Sequence, residues 1–244
     1  MRYFLIPSYN DSENIDLLFK NIANHLKGQK YKIILVDDGS TDKTKETIKI
    51  MSKIFPVQMI GYKKNKGPGY AFKYGFDYLI PKLKHDDLVI TMEADNTADY
   101  NIIQKMLKKA RRYDVVLASP YAKGGAFLGI NKTRMLLGQG AVILDQLIFK
   151  IKDVKTYSSF YRIYKSSILK KTKKIYAEKY ITEYGFTAVV ELLIRLSKIG
   201  ASFYEVPSIV DWRKRQGKSK MDIKKTISRH LNLYKKYLLG KYNL

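Results

Sequence analysis

Short apolar runs separated by longer amphipathic segments are the feature that most restricts the fold of this chain. The strand-like runs of the first half are residues 2–6, 32–36, 57–61, 88–92 and 114–119. Between them lie segments with the helical spacing of apolar residues, at 12–26, 42–54, 68–80 and 99–111. Such alternation is typical of βαβ units, which build one parallel sheet with helices on both faces. We therefore predict an α/β domain with a mostly parallel, Rossmann-like sheet.

The second half of the chain is less regular, but its patterns extend the same domain. The helix-like segments are 131–150, 184–199 and 221–239, and the strand-like runs are 157–164 and 203–206. The chain has 244 residues, and a single core grows to about 250 residues before it splits into domains. We expect one domain over residues 1–220 and a basic amphipathic helix over 221–244.

Carboxylates follow two of the predicted strands at the point where each strand ends. Asp37 and Asp38 come directly after one apolar run, and Glu93 and Asp95 follow another. In open α/β sheets, ligands bind at the carboxyl ends of the strands. A carboxylate there can accept a hydrogen bond from a nucleobase N–H. Two acids at positions i and i+2 of an extended segment share one side and can bind Mg²⁺ or Mn²⁺.

Each of these motifs also has an ordinary structural interpretation. Side chains of residues 40–42 can cap the helix that follows, and Glu93-Ala94-Asp95 resembles many solvated surface segments. The turn Gly67-Pro68-Gly69 comes after three lysines and can bind phosphate through its N–H groups. It can equally be a simple turn beside solvated lysines. The residues alone leave both interpretations open.

Several classes of site and segment are not supported by the sequence. The chain has no cysteine, which excludes disulfides and thiolate chemistry and agrees with a reducing, cytoplasmic location. Its three histidines are scattered and give little support to a metal centre or a catalytic triad. The opening residues 1–7 fit a first strand rather than a signal peptide. No stretch of ~20 predominantly apolar residues predicts a membrane-spanning helix.

The net charge of +24 predicts attraction to a polyanion such as nucleic acid, anionic lipid or a phosphorylated substrate. From residue 210 to the end, 11 lysines and arginines accompany two aspartates. On a helix, the apolar side chains of residues 223–238 fall in one narrow arc, and basic side chains occupy the remainder. This pattern fits a helix on an anionic membrane surface. It also fits a helix that packs on the domain and keeps its basic side in solvent.

Six short motifs complete the sequence pattern. They are Pro7-Ser8-Tyr9-Asn10-Asp11, Val36-Asp37-Asp38-Gly39-Ser40-Thr41-Asp42, Asn65-Lys66-Gly67-Pro68-Gly69-Tyr70-Ala71, Glu93-Ala94-Asp95, Arg134 with Gly138 and Gly140-Ala141, and Gly217-Lys218-Ser219-Lys220. In their order and spacing the chain resembles the family-2 glycosyltransferases, and among them the dolichyl-phosphate mannose synthases and other polyprenyl-phosphate sugar transferases. The resemblance covers nearly the whole chain. It implies the GT-A fold of the nucleotide-diphospho-sugar transferases.

The resemblance also implies roles for individual side chains. The residues it assigns to the nucleotide sugar are Pro7, Tyr9, Asp11, Val36, Asp38 and Ala94. It implies that Glu93 and Asp95 bind Mg²⁺ or Mn²⁺, although the family usually has aspartate in the place of Glu93. Some relatives have a glutamine ligand where this chain has Thr97. The implied catalytic residues are Asp95, Arg134, Lys220 and one or the other of Arg213 and Arg215.

The expected reaction is an inverting transfer of mannose or glucose from a GDP- or UDP-sugar to a polyprenyl phosphate. The enzyme would bind peripherally to the cytoplasmic face of an anionic membrane. A phosphate acceptor is already an anion and needs no strong general base. The alternative within the family is extension of a surface glycan at a sugar hydroxyl, with Glu183 as the base. A nucleic-acid-binding protein, suggested by the charge and 20 tyrosines, leaves the acidic motifs unexplained, so we expect no nucleic-acid partner.

Overall fold

A seven-stranded sheet lies at the centre of the molecule in the computed structural model, which describes residues 1–217 and 222–243. The strands are β1 (Arg2–Ser8), β2 (Tyr31–Asp38), β3 (Val57–Tyr62), β4 (Leu88–Thr91), β5 (Val115–Ser119), β6 (Ala126–Leu128), β7 (Arg162–Lys165), β8 (Phe203–Pro207) and β9 (Ile209–Asp211). The order in the sheet is β3-β2-β1-β4-β7-β5-β8, and β6 pairs separately with β9. β7 runs antiparallel to β4 and β5. The remaining pairs are parallel, which confirms the predicted α/β class with a mostly parallel sheet.

Helices cover both faces of the sheet, as the alternating pattern predicts. They are α1 (Ile15–His25), α2 (Thr44–Met51), α3 (Pro68–Leu79), α4 (Ile103–Lys109), α5 (Lys132–Phe149), α6 (Ser166–Tyr176), α7 (Ala188–Lys198) and α8 (Ile223–Leu238). Successive side chains of a strand point to opposite faces. In β1, Phe4 and Ile6 pack with α1, α2 and α4, whereas Leu5 packs with α3 and α7. The sheet therefore separates two hydrophobic clusters.

Several elements of the second half differ from the sequence expectation, among them the short strands β6 and β9, which were not predicted. The strand predicted at 157–164 begins only at Arg162. The residues before it wrap round the fully buried guanidinium of Arg162, which donates to the carbonyl oxygens of Tyr157 and Val189. Helix α6 was not predicted, although its buried residues Ile168, Leu169 and Thr172 have helical spacing.

The C-terminal helix α8 packs against α5 on one side and exposes apolar residues on the other. Leu233 and Tyr234 are buried, and the Tyr234 hydroxyl donates to Asp145 of α5 at 2.9 Å. Burial raises the pKa of Asp145 to about 7. The exposed apolar residues of α8 are Ile223, Ile227, Leu231 and Leu238. The packing interpretation thus applies to the inner side of α8, and the outer side remains accessible.

Helix α5 adds further exposed apolar side chains beside α8. They are Leu136, Leu137, Ile143, Leu144 and Leu147. We call the exposed apolar residues of α5 and α8 together the α5–α8 face. None of the described helices is both long and apolar enough to cross a bilayer.

Candidate functional site

The loops after β1 and β2 are joined by the side chain of Asn10. Its backbone is left-handed, with φ 52°, a conformation that asparagine adopts more readily than most residues. The side-chain oxygen of Asn10 accepts bonds from the N–H groups of Thr41 and Asp42 at 2.8 and 3.3 Å. Its own N–H donates to the Ser40 hydroxyl at 3.0 Å. The first two sequence motifs therefore form one connected unit at the carboxyl edge of the sheet.

Carboxylates order both of these loops. The Asp11 carboxylate accepts from the Tyr9 N–H at 3.0 Å and from the Ser8 hydroxyl at 3.2 Å. Asp42 accepts from the Thr44 N–H at 3.0 Å, in the first turn of α2. Among the three capping candidates in the sequence, Asp42 thus bonds to the start of the helix. Asp11 and Asp42 fix the loop shapes around the site.

Pro7 and Val36 lie opposite each other in the register of β1 and β2. The Val36 side chain is fully buried and packs near Leu5 and Gly75. A nucleotide at this edge can therefore reach Val36 only through its backbone. Tyr9 and Pro7 are partly exposed at the same edge.

Asp38 is held by the turn that precedes α3. Its carboxylate accepts from the backbone N–H groups of Lys66 and Gly67 at 2.7 and 3.0 Å and from the Asn65 side-chain amide at 3.0 Å. Burial raises the pKa of Asp38, and the bonds from the two N–H groups act in the opposite direction. These bonds fix the direction of the carboxylate. They also occupy the Gly67 N–H, one of the N–H groups that the sequence offered for a phosphate.

The segment 183–185 supports this turn from behind. The N–H of Gly69 donates to the Tyr184 carbonyl at 3.1 Å. A Cβ on Gly67 would lie 2.5 Å from the same oxygen, and a Cβ on Gly69 would lie 2.4 Å from the Glu183 carbonyl oxygen. The backbones approach too closely for any side chain. Glycine is therefore required at both positions by space, and at Gly67 also by its φ of 96°.

The second acidic motif follows β4 and places its two carboxylates in different surroundings. Asp95 is buried, and its Oδ1 accepts from the Thr97 N–H and hydroxyl at 3.1 and 2.8 Å. The Glu93 side chain is open to solvent, but neighbouring protein partly desolvates its carboxyl. This desolvation and then the charge of Asp95 raise the pKa of Glu93 well above its usual range, and Asp11 adds to the effect. Thr97 therefore orients an acid, and Ala94 between the acids is buried.

The donor set of Glu93 and Asp95 fits a hard divalent cation. Crowded carboxylates that raise one another's pKa are stabilised by a cation between them. Within residues 1–217 and 222–243, no group of three or more acidic or histidine side chains surrounds one point. Protein sites for Mg²⁺ commonly use one or two carboxylates together with phosphate oxygens of the substrate. The exposed Glu93 and the buried Asp95 supply two such carboxylates.

Two arginines from distant segments flank these acids. The Arg215 guanidinium lies 3.5 Å from Asp95 Oδ2. Arg134, in the first turn of α5, lies over the Trp212 ring at 4.2 Å, and Arg215 lies 5.4 Å from the same ring. Burial, and next the charge of Arg215, lowers the pKa of Arg134, and Glu93 opposes that effect. Trp212 thus gathers two cations beside the acidic pair.

Arg213 points elsewhere. Its guanidinium forms two bonds of 2.8 Å with the Asp211 carboxylate and lowers the pKa of Asp211 to about 2. Its stem packs on Gly129. The two arginines that sequence reasoning left open therefore differ, because Arg215 faces the acids and Arg213 closes a surface ion pair. Lys220 lies outside the described residues.

Glu183, the candidate base for a hydroxyl acceptor, is buried and paired. Its Oε1 accepts from the Lys236 ammonium at 2.7 Å, and its other oxygen lies 3.4 Å from the Thr187 hydroxyl. The nearby Glu191 is fully buried and accepts from the N–H groups of residues 182 and 183 and from Arg195. Glu191 orders the segment, and Glu183 joins it to α8.

Sequence reasoning missed the residues that position the site rather than form it. Asn10 carries no signal beyond its place in a motif, and Trp212 belongs to none of the six motifs. A signal did exist for Trp212, because it is the single tryptophan of the chain and has arginine on both sides in sequence. Lys236 was grouped with the solvated basic residues of the last helix.

Comparison with known proteins identifies the family of the chain. The model of the family described as "Glycosyl transferase family 2" matches residues 3–173. A dolichol-phosphate mannosyltransferase of Pyrococcus furiosus is 32% identical over 222 residues, which cover 89% of this chain and 58% of that protein. A dolichyl-phosphate beta-glucosyltransferase of Trichomonas vaginalis is 24% identical, over 95% of this chain and 71% of the other. The chain thus spans little more than half of the first relative.

Solved structures share the fold. Glucosyl-3-phosphoglycerate synthase of Mycobacterium tuberculosis, solved with Mn²⁺, uridine diphosphate and phosphoglyceric acid, superimposes with a TM-score of 0.67 at 13% identity. The alignment covers 100% of this chain and 79% of that one. TarS of S. aureus in complex with UDP-GlcNAc has a TM-score of 0.63 at 16% identity, over 96% of this chain and 65% of the other. At these identities the likeness concerns the fold, and it agrees with the GT-A prediction.

Replacing Gly67 by alanine should destabilise the protein more than replacing Gly28 does. Both glycines have positive φ, but a Cβ at 67 meets the Tyr184 carbonyl at 2.5 Å, and a Cβ at 28 meets no atom within 4 Å. We expect Gly28→Ala to cost about 1 kcal/mol and Gly67→Ala to cost ~1–3 kcal/mol more from the clash. Chemical denaturation gives both values. Equal losses would show that the close approach of 67 and 184 does not constrain the turn.

Proposed function

The chain belongs to glycosyl transferase family 2, and on that premise we propose that it transfers a hexose from a nucleoside diphosphate sugar to a polyprenyl phosphate. The acceptor is of the dolichyl type, since the names of the Pyrococcus furiosus and Trichomonas vaginalis relatives contain dolichol or dolichyl phosphate. The hexose is mannose or glucose, the two sugars in those names. Either a GDP- or a UDP-sugar is a possible partner of Asp38, because both bases offer N–H groups to a carboxylate.

The observation that carries the proposal is the mixed charge at the carboxyl edge of the sheet. Asp95 faces Arg215, and Glu93 and Arg134 lie in the same cluster. The acids suit a cation, and the arginines suit phosphate oxygens, which guanidinium groups bind through several N–H donors. Transfer of a sugar from a diphosphate donor to a phosphate acceptor needs acids for the cation and arginines for the phosphate oxygens in one place.

The chemistry required of the chain follows from these charges. A phosphate oxygen of the acceptor forms a bond to the anomeric carbon, while the bond from that carbon to the donor diphosphate breaks and its electron pair leaves with the nucleoside diphosphate. One attack from the opposite side inverts the anomeric configuration. Mg²⁺ or Mn²⁺ held by Glu93 and Asp95 would supply neutralisation of the leaving diphosphate. Thr97 keeps Asp95 oriented for that task.

Arg134 and Arg215 neutralise the acceptor phosphate and direct its attacking oxygen. Positioning and charge neutralisation are sufficient for an acceptor that is already an anion. We assign the acceptor-loop arginine to Arg215 rather than Arg213, because the latter is engaged with Asp211. Lys220 is included as a further phosphate ligand on the resemblance of its motif.

The rival hydroxyl acceptor would need a free carboxylate base. Glu183 is the candidate, but its Oε1 binds Lys236 at 2.7 Å. The Lys236 ammonium and the Thr187 hydroxyl occupy the two oxygens of this buried carboxylate, so it is poorly placed to take a proton from a substrate hydroxyl. The pairing therefore favours the phosphate acceptor.

The enzyme is proposed to work at the cytoplasmic face of a membrane, attached peripherally through the α5–α8 face. Nine leucine and isoleucine side chains of α5 and α8 are exposed there, and the last 35 residues are strongly basic. Apolar side chains flanked by basic ones suit the boundary between anionic headgroups and acyl chains. The tail of a polyprenyl phosphate would remain in the bilayer while its phosphate reaches Arg215.

Asp95→Asn should lower hexose transfer at least about 100-fold, because the neutral amide no longer helps to hold the cation. The assay is transfer from GDP- and UDP-hexoses to a short polyprenyl phosphate, with Mg²⁺ or Mn²⁺ and with excess EDTA. Asp86→Asn is the matched control, since Asp86 is an exposed acid beside the same strand. Full activity in EDTA would contradict the metal assignment, and no transfer from any nucleotide hexose would contradict the function.

Arg215→Met should reduce the rate of transfer ~100-fold, because it removes a phosphate ligand at the reacting centre. Arg213→Met should change the rate less than about threefold and act instead on thermal stability, through the loss of the Asp211 ion pair. Steady-state kinetics with a short polyprenyl phosphate and thermal denaturation separate the two effects. The reverse order of effects would move the acceptor site to Arg213.

Leu231→Asp should weaken binding to anionic vesicles, because it puts a charge on the outer side of α8. Ile54→Asp is the control, since Ile54 is an exposed apolar residue at the end of α2, outside the α5–α8 face. Cosedimentation with vesicles of phosphatidylserine and phosphatidylcholine measures both. Equal binding of the two variants would exclude this face as the membrane contact.

A further inference from the structure

Helix α8 makes direct contact with residues 183–185, the segment that supports the turn at residues 65–69. Lys236 forms the 2.7 Å ion pair with Glu183, and the Glu183 side chain is 9% exposed. About two turns earlier on the same helix, the Arg229 guanidinium covers Gly185 so closely that a Cβ there would lie 1.8 Å from Nη1. Two cations of α8 therefore hold the two ends of residues 183–185.

The same three residues press on the turn before α3. The carbonyl oxygens of Glu183, Tyr184 and Gly185 line the space that any Cβ at Gly67 or Gly69 would fill. The ring of Tyr184 also packs on Tyr70 at 5.1 Å. Movement of the segment away from α3 would thus release the turn.

The turn at residues 65–69 determines the direction of the Asp38 carboxylate. Two of the three bonds to that carboxylate come from backbone N–H groups of residues 66 and 67. Backbone donors cannot adjust by rotating a side chain, so a shift of the turn changes the direction of the carboxylate.

We infer that Lys236 is a positioning residue for the donor pocket, acting through Glu183 and the turn at 65–69 on Asp38. This inference rests on the proposed function for the identity of the ligand, a nucleoside diphosphate. This arrangement depends on the partly buried ion pair between Lys236 and Glu183, because removal of Lys236 leaves the Glu183 carboxylate buried without its counter-ion. The helix proposed to contact the membrane then also shapes the site that binds the soluble donor.

The test compares Lys236→Met with Lys236→Arg and Lys235→Met in the full chain. Lys235 is exposed and adjacent on the same helix, so its variant removes an equal charge without touching the Glu183 pair. Calorimetry with GDP and UDP in Mg²⁺ gives nucleotide affinity, and steady-state kinetics give KM for the donor and kcat separately. Thermal denaturation checks that each variant is folded.

We expect Lys236→Met to raise the nucleotide Kd and the donor KM roughly tenfold, within the usual range for coupling between sites, with a smaller change in kcat. Lys236→Arg should restore most of the affinity, and Lys235→Met should match the wild type. Wild-type affinity in Lys236→Met would overturn the inference. So would equal losses in Lys235→Met and Lys236→Met, which would indicate a general effect of charge.

Hydrogen exchange without ligand separates this inference from the proposed function. The amides of residues 66 and 67 should exchange faster in Lys236→Met than in Lys235→Met or the wild type. If the wild type binds no nucleoside diphosphate, the proposed function fails, and faster exchange in Lys236→Met alone would still support the link from α8 to the turn. Unchanged exchange would overturn that link, whatever the ligand results.

Discussion

The hydrogen bonds that hold the Asp38 carboxylate are the constraint on which the rest of the site depends. Asp38 ends a strand of the central sheet, and its three hydrogen-bond donors lie 27 to 29 residues further along the chain. Those donors keep their position because residues 183–185 stand behind them without space for a side chain at Gly67 or Gly69. A single carboxylate therefore joins the end of β2, the start of α3 and a segment from the last third of the protein. Any ligand at Asp38 meets a surface built by all three.

Charge is divided across the site in a way that suits its proposed chemistry. The acids of the cleft come from the first half of the chain, at the ends of β1, β2 and β4, where parallel strands bring their carboxyl ends together. The arginines come from the second half, from the first turn of α5 and from the residues after β9. Even in a chain of net charge +24, clustered acids repel one another unless cations are close to them. Trp212 provides a flat surface between the two arginines, and so the charges that oppose the acids stay near them.

Much of the fold and part of the site could be predicted from sequence. The alternating pattern predicted the sheet and its flanking helices, because each strand and helix of the first half buries its own apolar side. The acids at the strand ends could be located because they directly follow apolar runs of the sequence. The late start of the strand at Arg162 was missed, since a fully buried arginine that donates to carbonyl oxygens has no periodic signal. The roles of Asn10 and Lys236 depend on contacts 31 and 53 residues apart, which no local pattern contains. The choice between Arg213 and Arg215 likewise needed the position of Asp211.

The two sides of α8 answer to different demands, and this has a consequence for how such a chain can evolve. Leu233, Tyr234 and Lys236 face the protein, where the first two join the core and the third pairs with Glu183, so their substitution is constrained whatever the acceptor is. Ile223, Ile227 and Leu231 are exposed on the outer side. A lineage that used a water-soluble phosphate in place of the proposed lipid acceptor would be free to replace those three with polar residues while keeping the inner three. The substitution pattern along one helix would then record a change of substrate that the catalytic residues themselves do not register.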